Sequence, residues 1–114
     1  MTQCHCWRRR KAQGAPASVA PVLASGFTIV QGEALIRAFE PSPGKQRAFC
    51  GVCGAPLYSR RTADPAVLRL RLGGLDEPPA GLRIDAHTFT EGAPAWDAAG
   101  DAAPRYPGLE PGRS

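Results

Sequence analysis

The clearest pattern in the chain is an alternation. In Val67-Leu68-Arg69-Leu70-Arg71-Leu72 the leucines at 68, 70 and 72 share one face, and Arg69 and Arg71 share the other. A period of two belongs to a half-buried β-strand, and Gly73-Gly74 ends it. Phe27-Thr28-Ile29-Val30 and Ala34-Leu35-Ile36-Arg37-Ala38-Phe39 flank Gln31-Gly32-Glu33, which predicts two short strands joined as a hairpin. Pro41-Ser42-Pro43-Gly44-Lys45 predicts a loop. Arg47-Ala48-Phe49 and Pro56-Leu57-Tyr58-Ser59 predict strands leading into and out of a cysteine-bearing turn. Asp76-Glu77-Pro78-Pro79 reads as a turn rather than an acid/base pair. Arg83 to Thr90 predicts a further strand, with Ile84, Ala86 and Thr88 on one side. No helix is expected beyond one turn near Asp97, and the chain carries no internal repeat. Trp96 and Pro104-Arg105-Tyr106 are expected to pack as a C-terminal lid. These elements predict an all-β domain over residues 1–106 and a disordered tail over 107–114.

Composition narrows the picture. A chain of 114 residues is one domain with a thin core. Its 13 glycines and 12 prolines are about twice the usual share and exclude a helical bundle or coiled coil. No apolar run approaches the ~20 residues of a membrane span. The basic N-terminus lacks the apolar segment of a secretory signal, so a soluble, cytoplasmic protein is expected. The net charge of +4 is concentrated in Arg8, Arg9, Arg10 and Lys11. This run reads as a solvated arm able to attract anions; a single cluster does not make a nucleic-acid binder.

Four cysteines form two close pairs, Cys4-His5-Cys6 and Cys50-Gly51-Val52-Cys53. Nothing points to secretion and hence to disulfides. A thioredoxin-like redox pair needs a helix after the motif, whereas Gly54-Ala55-Pro56 and a strand follow Cys53. Phe49-Cys50-Gly51-Val52-Cys53-Gly54 instead looks like a zinc knuckle, with Gly51 and Gly54 permitting positive φ in a tight turn. Zinc prefers four ligands, so two more are required. Cys4 and Cys6 are the candidates by composition, with a closed structural zinc on Cys4, Cys6, Cys50 and Cys53 as one outcome. Cysteines left as small core residues are another.

The order of motifs resembles the glutathione-dependent formaldehyde-activating (GFA) family, which includes centromere protein V. Cys4-His5-Cys6 to Gly14 is similar to its Cys-His-Cys-x-x-Cys-Arg-Lys-x-x-Gly signature. Phe27 to Gly32, Arg47 to Gly54, Gly74-Leu75-Asp76, His87-Thr88-Phe89 and Trp96 follow in family order. The resemblance implies a small all-β zinc fold of the β-tent type and carbon–sulfur lyase chemistry on a glutathione–aldehyde adduct such as S-hydroxymethylglutathione. It further implies Zn2+ held by Cys4 and Cys6 at the reactive site and by Cys50 and Cys53 at a structural one. Arg10 and Lys11 are then candidates to attract glutathione carboxylates. The chain departs from the signature in that its third cysteine falls on Arg9, and arginine cannot ligate zinc. The family's earlier Cys-x-Cys would lie before Met1, so the chain is expected to begin inside the domain.

Two readings follow. One is a zinc-dependent carbon–sulfur lyase using a small thiol such as glutathione. The other is a degenerate zinc-binding module, or a fragment, whose basic arm meets an acidic partner. His5 is expected to be a neighbour of the ligands or solvent-facing, His87 a satisfied β-face histidine, and Trp96 a core residue.

Overall fold

Strands dominate the regular structure in the computed structural model, which describes residues 1–97 and 100–112. The chain divides into two units, residues 1–19 with 77–114, and residues 20–76. The second unit is a meander of β3 (Ile36–Ser42), β4 (Lys45–Cys50), β5 (Pro56–Arg61) and β6 (Asp64–Arg71), each antiparallel to the next. Turn chemistry sets its corners. Gly44, at φ 81°, lets Ser42 pair with Lys45, and Thr62-Ala63 brings Arg61 opposite Asp64. Its buried residues are Ala48, Ser59, Leu68 and Arg71.

Strand β2 (Ala17–Leu23) holds the chain boundary between the units, after Val19. In the first unit β1 (Thr2–Cys4) runs antiparallel to β2 and parallel to β7 (Ala86–Thr88), with Cys4 opposite both Ala17 and Thr88. A short helix, α1 (Trp7–Gln13), follows at once. It ends at Gly14, whose φ of 76° lets its N–H donate to the Arg10 carbonyl at 2.6 Å. Both faces of β7 are covered: Ala86, His87 and Thr88 are all buried. No helix among the described residues is long and apolar enough to cross a membrane.

The all-β expectation therefore stands, with local corrections. Residues 27–30 form no strand, and Glu33–Leu35 is a 3-10 turn, so the hairpin around Gly32 is absent. Phe27 and Ile29 instead line an open cleft of about 500 Å³ with Leu57, Tyr58 and Cys50, with Leu35 and the 93% exposed Val30 at its rim. Phe27 meets Tyr58 edge-on at 5.5 Å. The expected strand over 83–90 shortens to β7, and α1 replaces part of the supposed arm. Trp96 is 75% exposed and is not a core residue.

Candidate functional site

The first unit gathers the cysteines of the N-terminal motif, both histidines and Arg9. Strand β1 ends at Cys4, and the chain turns through His5 and Cys6 into α1. The turn is pinned where the His5 N–H donates to the Thr88 carbonyl at 2.9 Å. Cys4 is only 1% exposed. The Cys6 thiol donates to its sulfur and pulls the Cys4 pKa down to about 5. The positive charge of Arg9, the Cys6 backbone N–H and a Thr88 hydrogen bond act in the same direction, against burial. Cys6, as donor to that sulfur, is pushed up, and burial adds to the effect. The two thiols titrate as a pair, Cys4 shifted down and Cys6 up by the hydrogen bond between them. Arg9, on the first turn of α1, is 6% exposed and acts electrostatically on both sulfurs. That corrects the solvated-arm reading: Arg8 and Lys11 are exposed and Arg10 is half-buried, but Arg9 turns inward.

Next to Cys4 runs a chain of hydrogen bonds, buried at its two histidines and half exposed at its end. His5 Nε2 and His87 Nδ1 are 2.8 Å apart, and His87 Nε2 lies 2.9 and 3.0 Å from the two Asp101 oxygens. A carboxylate only accepts, so His87 Nε2 carries hydrogen. For neutral rings, His87 Nδ1 is then the acceptor and His5 Nε2 the donor. This leaves His5 Nδ1 with a lone pair and no hydrogen-bond partner, 3.9 Å from Asp97 Oδ2, also buried without one. Burial, followed by the neighbouring His87, lowers the His5 pKa, while Asp97 and Cys4 oppose the shift. Asp101 is held below the usual carboxylate range, first by the His87 hydrogen bond and then by the Ala103 N–H. His5 is thus not solvent-facing: it lies beside the cysteines with its ring bonded to His87.

The second pair sits in the second unit, on the turn between β4 and β5. The Cys50 N–H donates to the Ala55 carbonyl at 2.9 Å, and the Gly54 N–H to the Cys50 carbonyl at 2.8 Å. Gly54 has the expected positive φ, 78°. Gly51 is needed for space instead: a Cβ there would stand 2.8 Å from the Leu35 carbonyl oxygen. Backbone N–H groups of Cys53 and Val52, then the Cys53 thiol, lower the Cys50 pKa. No cation is among those causes, and Cys53 is exposed.

All four cysteines are unbridged. Zinc calls for four ligands, or three and an open position. Each pair offers two neighbouring sulfurs, and no group of three or more His, Cys, Asp or Glu able to hold a metal forms among the described residues. Neither pair, as it stands, fits the zinc centre that the resemblance implies. Sequence reasoning missed Asp97 and Asp101, which lie in an aperiodic Ala/Gly/Pro stretch. The one local signal was Asp101 itself, whose side chain caps the N–H two residues on, as Asp does in turns.

A family model described as "Glutathione-dependent formaldehyde-activating enzyme" matches residues 1–92. Among solved structures, the crystal structure of a Rhodobacter sphaeroides protein is similar to this chain. The two share 21% sequence identity at a TM-score of 0.54, over 69% of this chain and 71% of that one. At that identity the likeness bears on fold alone. No curated protein matches the chain.

Proposed function

The chain belongs to the glutathione-dependent formaldehyde-activating enzyme family, and from that premise we propose that it is a carbon–sulfur lyase acting on glutathione–aldehyde adducts of the S-hydroxymethylglutathione type. The observation that carries the reading is the buried His5–His87 pair, closed by half-exposed Asp101, alongside Cys4, Cys6 and Arg9, most of it within the matched residues. Cleavage of such an adduct removes the hydroxyl proton and forms the carbonyl. The carbon–sulfur bond breaks, and the electron pair leaves on sulfur. The reaction therefore asks for an acceptor at the hydroxyl and positive charge near the sulfur. His5 Nδ1 carries such an acceptor lone pair, oriented through His87 by Asp101, and is reached by substrate when the turn that buries it beside Asp97 opens. Arg9 supplies the charge beside Cys4 and Cys6.

Half-buried Cys6 marks the side from which a thiol approaches, and Arg10 and Lys11 on the same helix are suited to the glutathione carboxylates. The alternative reading, a basic arm for an acidic partner, is weakened because Arg9 is committed to the cysteines. The reading is tested by exchange NMR of 13C-formaldehyde with glutathione. The wild-type chain should speed exchange between free aldehyde and adduct. His5→Gln should reduce the gain on the order of a hundredfold, the usual worth of a positioned proton acceptor. A wild-type rate equal to the uncatalysed one overturns the proposal.

A further inference from the structure

We infer that Arg9 stands in place of a metal ion at the Cys4–Cys6 pair: its guanidinium supplies the positive charge there and keeps zinc out. This inference concerns which cation the two sulfurs keep and holds whether or not the lyase reading does. It rests first on placement. Arginine is almost never buried without a partner of opposite charge, yet Arg9 is 6% exposed while its helix neighbours Arg8 and Lys11 face outward. It sits three residues past Cys6, on the first turn of the helix that this cysteine opens, and its backbone N–H points at the Cys6 sulfur.

The donor set is the second support. A metal at this pair would have two sulfurs, and no third His, Cys, Asp or Glu among the described residues completes a site with them. His5 is adjacent in sequence, but its Nε2 is spent on His87, and its Nδ1 is turned toward Asp97. A divalent ion between the sulfurs would meet a like charge in a buried setting, where repulsion is little screened. Arginine, unlike histidine or lysine, cannot relieve that repulsion by losing its proton. Third, the position is structurally fixed. Arg9 lies in the first turn of α1, between the Cys6 start and the Gly14 stop, so the helix fixes its backbone beside the pair.

The test is zinc competition against a chromogenic chelator, using the full chain in four forms: wild type, Cys4→Ser, Arg9→Cys and Cys4→Ser/Arg9→Cys. Wild type and Cys4→Ser should bind zinc equally, since the pair contributes nothing. Arg9→Cys should gain a tight equivalent, on the order of a hundredfold or more above wild type, because a third sulfur replaces a cation. The double variant should lose it. Tighter zinc binding by wild type than by Cys4→Ser overturns the inference, as does a folded Arg9→Cys that gains nothing. Should Arg9→Cys not fold, alkylation of wild type decides. The rate at Cys6 should be the same with and without zinc, and protection of Cys6 by zinc overturns the inference.

Discussion

The two cysteine pairs have similar spacing in sequence and opposite surroundings in the structure. Cys4 and Cys6 lie in the first unit among buried polar groups, held by Thr88 and a positive charge and flanked by an imidazole chain. Cys50 and Cys53 lie in the second unit on an open turn, Cys50 lining an apolar cleft, with backbone N–H groups in place of a cation. The first pair is built into its unit, and the second projects from it. A Cys-x-Cys and a Cys-x-x-Cys are thus not two halves of one motif by default; what surrounds each decides what it holds.

Removing one residue from each environment should separate the two pairs most. His87→Ala deletes a ring that is 1% exposed, opens a cavity and strips His5 Nε2 and Asp101 of their partner. A loss of about 3 kcal/mol or more in urea unfolding is expected. Cys53→Ala, on an exposed position, should stay within about 0.5 kcal/mol. Equal losses would mean that the knuckle is as structural as the histidine chain.

Thiol chemistry reads the same contrast without mutation. Iodoacetamide should label exposed Cys53 first and Cys4 last. Cys4 reacts only when its unit opens locally, so its rate should be on the order of a hundredfold below that of Cys53 despite its lowered pKa. Comparable rates would place Cys4 at the surface. Zinc sharpens the picture further. Such zinc as the wild-type chain binds should weaken about tenfold on Cys50→Ser, through loss of one of two sulfurs, and stay unchanged on Cys4→Ser.

Much of this architecture was legible in the residues, and the failures have physical causes. The alternation at 67–72 and the runs flanking Cys50 and Cys53 became β6, β4 and β5, because side-chain period and glycine-rich turns act locally. Phe27 to Val30 misled because Phe27 and Ile29, which line an open cleft, are as apolar as residues that pair in a sheet. Helix α1 spans seven residues, too short to show an apolar period, and only Gly14 marked its end. Arg71 sits on the polar side of its strand's alternation and is buried all the same, while Arg69 on that side is half-buried. The two histidines were visible as residues, but their partnership was not. His5 and His87 are 82 positions apart, and the parallel pairing of β1 with β7 that joins them is a long-range event no local pattern encodes.

The smallest effect expected is a pH dependence belonging to the first unit alone. His87 Nε2 donates to Asp101, and the folded chain holds that carboxyl below its ordinary value. A group depressed on folding adds stability that is fully present above the unfolded value, about pH 4 for aspartate. That contribution fades as the pH falls through the lowered folded value and the carboxylate finally takes up a proton. Wild type should therefore lose stability on acidification from about pH 4 downward, and Asp101→Asn should lose less over the same interval while matching its own neutral-pH value more closely. Because Asp101 is half exposed, solvent screens the pairing and the difference is modest. Thermal unfolding of both proteins from neutral to acidic pH measures it, and parallel curves would show that the His87–Asp101 contact orients the imidazole chain without contributing to stability.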